Sequence, residues 1–417
     1  MRNWAGNLVY GARDLARPRT LEELADVLTA PGPVRALGST HSFNDLADTS
    51  GTHVQVDGLD DGRPVVDLDP ATGVVSVNAG QRYGELARAL SAEGRGLGNL
   101  ASLPHISVAG AVATATHGSG DANRSLASAV VGLEIMTTAG ELRRVTRDSD
   151  PEAFAGTVVS LGALGVVTRV ELDTVPAFAV RQDVALDVGW DAVLGDLDAV
   201  TGAAYSVSLF TGWAEPAVRQ VWFKSVVPDG AGTRPEPVAG LRWAAQDVHP
   251  LPGVDAAACT AQCGAVGPWH DRLSHFRLDF TPSAGDELQS EYLVPRRRAV
   301  EAIEAVRALA PRVAPLLQTT EIRTVAADDL WLSPFDEDSV GLHFTWLPRG
   351  DDVAAVLPAI EDALLPLGAR PHWGKVFAID AAELGALYPR FADFRALAER
   401  FDPEGRLHGG YLARLLG

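Results

Sequence analysis

The chain has 417 residues, enough for about two or three domains, and a formal net charge of −19. Its composition, 47% hydrophobic and 21% charged, excludes a disordered or collagen-like protein. Because an acidic surface repels nucleic-acid phosphates and anionic lipids, we expect neither as a partner. Two cysteines are too few for a disulfide framework and favour a cytoplasmic location. The longest uncharged stretch, residues 96–120, contains proline and repeated glycine, so no membrane helix is expected.

The first part of the chain alternates short strand and helix patterns. Thr20 and Glu23 form a capping box before an amphipathic helix, and a second such helix begins near Tyr83 and ends near Gly94. Short runs rich in β-branched residues predict strands at 34–37, 54–56, 65–68, 74–77, 130–136, 142–146 and 165–172. These patterns predict an α+β domain that ends near residue 178.

From about residue 180 aromatic residues become frequent. Strands are predicted at 206–210, 220–224, 277–280, 319–325 and 340–347. A helix that starts near Arg297 is expected to bury Val300, Ile303 and Val306, and another runs from 352 to 364. We interpret this part as a second domain, a sheet covered by helices, followed by a helical tail.

Several common chemical motifs are missing. No Gly-x-Gly-x-x-Gly follows a strand, and there is no Gly-x-x-x-x-Gly-Lys, His-Glu-x-x-His or Gly-x-Ser-x-Gly. Cys259, Cys263, His270 and His275 resemble a zinc set, but the gap between their two halves is too short for a zinc finger. We expect two buried thiols and two histidines around Trp269 there, and no metal.

Two loops are candidates for cofactor binding. Residues 38–43 (GSTHSF) follow a predicted strand, and such a run of small residues exposes backbone N–H groups that can wrap a pyrophosphate. The His41 side chain is unusual in a plain phosphate loop. Residues 101–118 carry mostly tiny side chains, which permit close backbone approach to a flat or extended ligand. From spacing alone, both loops are equally compatible with ordinary tight turns.

Together these segments resemble a known family. The 39–42 and 107–118 loops are similar to the FAD-binding fold of vanillyl-alcohol-oxidase-type flavoproteins, and the nearer likeness is to the alditol (xylitol) oxidases. Segments that resemble that family in its own order are residues 3–7, 203–210, 288–292, 321–328 and 371–375. The likeness covers nearly the whole chain.

The resemblance implies a two-domain α+β fold. Residues 1–178 and 374–417 would form the FAD-binding domain, and residues 179–373 an antiparallel-sheet substrate (cap) domain flanked by helices. It also implies that His41 carries FAD covalently, which suits a neutral imidazole nucleophile. The alternative is a loop histidine hydrogen-bonded to phosphate, with the flavin held non-covalently. The other implied cofactor contacts are Leu37, Gly38, Ser39, Thr40, Ser42, Ser102, Ser107, Gly110, Ala111, Val112, Ala113, Val167 and His372.

The chain departs from this family at three places. Thr40 and Ala115 stand where glycine is common, so a positive φ at either position would strain the backbone. The tail segment 406–411 replaces a stretch that usually contains asparagine, which leaves its individual contacts open.

Alternation in two predicted strands indicates a polar face. Glu321 and Arg323 point the same way, and in residues 341–347 His343 and Thr345 lie opposite an apolar face. Carboxylate and guanidinium groups can bridge neighbouring hydroxyls, as a polyol site requires. Without the family likeness, a solvated salt-bridged face is the better explanation of the pattern.

The resemblance assigns roles to these residues. The implied substrate contacts are Ser102, Glu321, Arg323, Thr345 and Lys375, and the implied catalytic residues are Lys375, His343 and Arg323. The expected reaction is oxidation of a terminal alditol hydroxyl, as in xylitol or sorbitol, to the aldose. A hydride goes to flavin N5, and molecular oxygen is then reduced to hydrogen peroxide. His343 and neutral Lys375 are both candidates for the proton acceptor. The rival functions are a sugar-1,4-lactone oxidase or dehydrogenase and a non-catalytic flavin- or sugar-binding protein.

Overall fold

The computed structural model describes residues 1–228, 232–280 and 287–417. In chain order the strands are β1 (Asp14–Ala16), β2 (Val34–Ala36), β3 (Thr52–Val54), β4 (Val66–Leu68), β5 (Val74–Asn78), β6 (Arg95–Gly96), β7 (Val130–Met136), β8 (Leu142–Thr146), β9 (Val166–Asp173), β10 (Val175–Pro176), β11 (Ala179–Gly189), β12 (Ser206–Thr211), β13 (Ala217–Val226), β14 (Arg242–Trp243), β15 (Ala265–Pro268), β16 (Leu288–Pro295), β17 (Leu317–Val325), β18 (Ser339–Trp346) and β19 (Arg370–Pro371).

The α-helices are interspersed between these strands. They are α1 (Leu21–Thr29), α2 (Tyr83–Ala92), α3 (Val108–Ala113), α4 (Pro151–Val158), α5 (Trp190–Gly195), α6 (Leu197–Thr201), α7 (Ala299–Ala308), α8 (Ala310–Val313), α9 (Gly350–Leu364), α10 (Ala381–Ala386), α11 (Phe391–Phe401) and α12 (Gly410–Leu416). Short 3-10 helices lie at Asp45–Ala47, Leu126–Ala129, Ala256–Ala258, Trp269–Asp271, Arg296–Arg298, Ala314–Leu316 and Leu365–Leu367. The predicted mixture of helices and strands is therefore confirmed.

Small sheets make up the first part of the chain. A parallel sheet has the order β1-β3-β2, an antiparallel sheet has the order β4-β5-β9-β7-β8, and β6 pairs with β10. Helix α1 begins as its capping box predicts, because the Thr20 side chain accepts a hydrogen bond from the Glu23 N–H. Its apolar face is buried at Leu24 and Leu28. These elements surround the two small-residue loops.

A nine-stranded antiparallel sheet dominates the second part. Its order is β14-β11-β13-β12-β17-β18-β16-β19, with β15 also paired to β11. Helices α7 and α9 pack their apolar side chains on one face, where they meet Leu342, Phe344 and Trp346. Because side chains alternate along a strand, the polar residues of β17 and β18 point to the other face. That face borders the site described below.

Most predicted elements are present within a few residues of their expected limits, but two expectations are wrong. Residues 277–280 form a turn rather than a strand, in which the Phe280 N–H donates to Arg277 O. Val300 is 37% exposed, because the buried face of α7 runs through Ala299, Ile303 and Val306. The long strands β11 and β16 were not anticipated.

The expected limits of the two domains, at residues 178 and 374, stay a prediction. The strands of the small sheets lie between residues 14 and 176, and those of the large sheet between 179 and 371. Among the described residues, no helix combines the length and the apolar character needed to cross a membrane.

Candidate active site

A single cavity of about 630 Å³ joins the small-residue loops to the polar face of the large sheet. It is lined by all the predicted cofactor and substrate contacts except Val112. Val112 belongs to α3, is 2% exposed and packs in the hydrophobic core instead. The predicted residues, which lie as far apart in sequence as Leu37 and Lys375, are thus brought together.

The cofactor loops form a tight backbone cradle at one end of the cavity. A Cβ on Gly38 would lie 2.5 Å from Ser107 Oγ, and one on Gly110 would lie 2.7 Å from the same atom. The Ser107 N–H donates to Ser39 Oγ at 3.0 Å. Ser107 Oγ is buried and has no hydrogen-bond partner in the described part of the chain. A cradle of glycines and hydroxyls with an unused donor suits a diphosphate.

Thr40 and Ala115, the two residues that replace glycine, have φ values of 62° and 53°. Both therefore occupy the left-handed region that glycine favours. A positive φ was the condition for backbone strain at these two positions, and both residues have one.

His41 lies beside the cradle and lines the cavity. Its ring packs against Trp4 with centroids 4.9 Å apart. Burial, together with the charges of His105 and Arg82, lowers the pKa of His41 to about 4, so the imidazole is neutral near pH 7. A neutral imidazole is the nucleophilic form.

The polar wall of the cavity follows the register of four adjacent strands. Phe210 on β12 pairs with Glu321 on β17, Glu321 with His343 on β18, and His343 with Glu291 on β16. Thr345 lies two residues beyond His343 and lines the same cavity. The predicted alternation in β17 and β18 is confirmed, since these side chains face the cavity while their neighbours are in the core.

Glu291 is the centre of a buried ionic cluster that the sequence analysis did not single out. Its carboxylate accepts from Lys375 Nζ at 2.6 Å and Arg323 Nη2 at 2.9 Å, and His117 Nε2 lies 3.2 Å away. Burial alone would raise the pKa of Glu291, but the charges of Arg323 and Lys375 hold it well below its ordinary range. Both cations are therefore fixed at the cavity wall. Arg323 also donates to Ser102 Oγ at 3.2 Å.

Glu321 is a second carboxylate on this wall. Burial alone would raise its pKa, but the charge of Arg323 and the contact with His275 hold that pKa well below its ordinary range. Its Oε1 lies 2.8 Å from His275 Nε2, and its Oε2 lies 3.6 Å from His343 Nδ1 and 3.7 Å from Arg323 Nη1. Neither nitrogen of the His343 ring has a hydrogen-bond partner among the described residues. Burial, followed by the charge of Lys375, lowers the pKa of His343 to about 4.

Gln289 and Glu291 share one face of β16, as Glu321 and Arg323 do on β17, but Ser290 and Tyr292 make the opposite face of β16 polar as well, so alternation does not indicate Glu291. No periodic signal exists either for His275, which lies in a loop, or for His117. The residues of the zinc-like set make other contacts. His275 bonds Lys224 and Glu321. The expectation of two buried thiols is wrong for Cys263, which is exposed. The described residues contain no group of ligands that could hold a metal ion.

The altered tail contacts backbone rather than the cavity. Arg406 donates to the carbonyls of Leu28, Gly32 and Thr138, and Tyr411 packs in the core. The tail therefore packs against segments from the first part of the chain.

This fold and site define an FAD-binding oxidoreductase of the vanillyl-alcohol-oxidase type. Residues 13–146 match the family described as FAD binding domain, and residues 286–415 match that described as D-arabinono-1,4-lactone oxidase. The chain is 48% identical over 422 residues to the alditol oxidase of Streptomyces sp. (strain IKD472), with 99% of this chain and 98% of the relative covered. The chain belongs to the alditol oxidase family.

More distant relatives carry other names. Identity is 30% to L-gulono-1,4-lactone dehydrogenase of Mycobacterium tuberculosis, over 100% of this chain and 98% of the relative. Identity is 26% to L-gulonolactone oxidase of Bos taurus, over 99% of this chain and 97% of the relative. Two solved structures of cholesterol oxidase from Brevibacterium sterolicum, the second of them a mutant, have the same fold. Their TM-scores are 0.78 and 0.80 at 14% and 13% identity, and each match covers 100% of this chain and 96% of the other.

Proposed function

We propose that this chain oxidises the terminal primary hydroxyl of an alditol, such as xylitol or sorbitol, to the aldose, with release of hydrogen peroxide. The observation that carries the proposal is that Glu321, Arg323, His343 and Lys375 form a polar wall that lines the same cavity as the cradle. Such a wall offers both acceptors and donors to neighbouring hydroxyls. The 48% identity to an alditol oxidase over nearly the full chain supports the same substrate class.

The residues of the cradle fit FAD, since close backbone approach at Gly38 and Gly110 and the unused Ser107 hydroxyl suit its diphosphate. When bound, FAD supplies the acceptor for the hydride, at N5, and the route by which electrons reach oxygen. Neutral His41 would hold the flavin covalently at its dimethylbenzene edge. His372 and Val167, which also line the cavity, would contact the ring system.

The wall residues would have different roles toward the substrate. Glu321 Oε2 and the Thr345 hydroxyl would bind substrate hydroxyls. Arg323 and Lys375 would stabilise negative charge that develops on the reacting oxygen. We propose His343 as the proton acceptor, because its ring nitrogens are unpartnered among the described residues while Lys375 Nζ is engaged by Glu291.

Steady-state assays with xylitol, sorbitol and a galactonolactone test this function. Peroxide release with the alditols is the expected result, and the Glu321→Gln variant should raise KM by about tenfold or more, since a hydrogen bond to a charged group is lost. Activity on the lactone alone would favour the lactone oxidase alternative. Flavin binding without turnover of any of the three would favour a non-catalytic protein.

Covalent attachment is tested separately. After acid denaturation, the yellow colour should precipitate with the wild-type polypeptide and stay in the supernatant for His41→Ala. Colour released from the wild type would mean that the flavin is held non-covalently. The two free cysteines support a cytoplasmic location for the enzyme, which fractionation of the source cells would test.

A further inference from the structure

A lysine outside the wall described above is fully buried behind it. Lys224 on β13 is 0% exposed, and its Nζ lies 2.6 Å from Leu273 O, 3.0 Å from Ser274 O and 3.1 Å from His275 Nδ1. Burial lowers the pKa of Lys224 to about 7. In its ammonium form the group has three donors and no acceptor, so these three contacts account for all its hydrogens. Nothing in the proposed reaction uses this lysine.

The contacts on the two sides of the His275 ring determine which ring nitrogen carries the proton. The ionised carboxylate of Glu321 can only accept, so the hydrogen of the neutral ring is on Nε2, and Nδ1 is left to accept from Lys224 Nζ. Burial, with the charge of Lys224 next, lowers the pKa of His275 to about 4, which keeps the ring neutral. The Nε2–H therefore donates to Glu321 Oε1, 2.8 Å away.

This donation leaves the other carboxylate oxygen of Glu321 available. Oε2 lies 3.6 Å from His343 Nδ1 and 3.7 Å from Arg323 Nη1, both beyond hydrogen-bond distance. One oxygen is thus tied to the protein, and the other borders the cavity without a close donor. A carboxylate held in this way accepts a ligand hydroxyl without first having to reorient.

We propose that Lys224 and His275 are positioning residues that hold Glu321 oriented so that its free oxygen accepts a substrate hydroxyl. This inference rests on the proposed function, in which Glu321 binds the polyol. The chain of bonds runs from Lys224 through His275 to Glu321, so Lys224 acts through two other side chains and touches no substrate itself.

A double-mutant cycle on the flavin-loaded enzyme tests the chain. Lys224→Met should raise KM for xylitol or sorbitol by about tenfold to a hundredfold and change kcat much less. In a Glu321→Gln background, the same substitution should raise KM by less than about threefold, because the group it acts on is already altered. Equal effects of Lys224→Met in both backgrounds would overturn the inference.

Two sets of variants separate positioning from general loosening of the loop. Thr260→Val removes a hydroxyl that bonds Ser274 O and His275 O in the same loop but lies off the chain to Glu321. It should leave KM unchanged. His275→Gln keeps a donor that can reach Glu321 and should retain most of the affinity that His275→Leu loses. A rise in KM for Thr260→Val equal to that for Lys224→Met, or equal KM values for the two His275 variants, would overturn the inference.

The tautomer can be measured without turnover. Nitrogen-15 NMR of histidine-labelled wild-type holoenzyme should show His275 with a protonated Nε2 and an unprotonated Nδ1, with assignment by loss of the signal in His275→Gln. A protonated Nδ1 would overturn the inference. If the wild type oxidises no polyol, the proposed function fails, while the NMR result still decides whether His275 has the tautomer that donates to Glu321.

Discussion

At the scale of single residues, the backbone of the cofactor loops is strained at positions with a positive φ. Ala115 has a φ of 53° and is fully buried, directly after the small-residue helix α3. An L-residue in this region is less stable than glycine by about 1–2 kcal/mol, whereas glycine loses about 0.5–1 kcal/mol of stability in an ordinary helix. Glycine should therefore be more stable than alanine at position 115, whereas it should be less stable than alanine inside α3.

We therefore expect Ala115→Gly to leave the free energy of unfolding unchanged or raise it. The matched control is Ala111→Gly inside α3, which should lower that free energy by about 1 kcal/mol. Urea unfolding followed by circular dichroism measures both. Equal losses in the two variants would show that Ala115 is not strained.

The buried carboxylate of Glu291 leads to a second prediction at this scale. Glu291→Gln leaves Arg323 and Lys375 buried without their shared counter-ion, so the free energy of unfolding should fall by about 3 kcal/mol. Glu301→Gln, whose partner Arg298 forms an exposed pair with it, should change the same quantity by less than about 1 kcal/mol. Denaturant titration of the two variants checks this, and a small effect at both sites would contradict the role given to Glu291.

At the level of elements, Arg35 on β2 joins segments that are distant in sequence. Its guanidinium, 2% exposed, donates to the carbonyls of Leu46, Leu161, Gly162 and Leu407. No carboxylate pairs with it in the described part of the chain. Through these bonds it connects the cradle strand to the C-terminal tail.

Arg35→Met should therefore loosen the tail selectively. Hydrogen exchange of the backbone amides in α12 should accelerate by at least about tenfold, because the Leu407 contact before the helix is lost. Arg312→Met, an exposed residue of α8, is the control and should leave that exchange unchanged. Unaltered exchange in Arg35→Met would show that the apolar packing of α12 alone retains the tail.

The elements that the sequence predicts well are those with one polar and one apolar face. Residues 341–347 show this alternation plainly, and β18 has the expected orientation. The strand β16 escapes the same analysis, because Ser290 and Tyr292 are polar on its core side, where they bond Trp346 and Glu361. The loop histidine His275 gives no periodic signal at all, and its place beside Glu321 depends on tertiary packing.

At the level of the whole molecule, the buried histidines make stability depend on pH. Burial is the main cause that lowers the pKa of each of His117, His275, His343 and His372. In the unfolded chain these rings titrate near pH 6.5. Below that pH the unfolded state binds protons that the folded state does not, so the free energy of unfolding falls as pH falls.

For His275 and His343, whose folded pKa values are about 4, the loss should extend from about pH 6.5 down to about pH 4. Each ring contributes a slope of about 1.4 kcal/mol per pH unit within that window. Urea unfolding at several pH values measures the slope, and His343→Gln should make it shallower. Equal stability at about pH 7 and about pH 5 would contradict the prediction.

The register of the large sheet also bears on how new specificities could arise. Adjacent strands lie about 4.8 Å apart, so the spacing of Phe210, Glu321, His343 and Glu291 is set by backbone pairing. The cavity is also lined by Pro250, Leu251 and Val254, in a segment without regular secondary structure in which Val254 is 48% exposed. Libraries that diversify this segment alone can therefore change which molecules are admitted without altering the strand register that spaces the polar side chains.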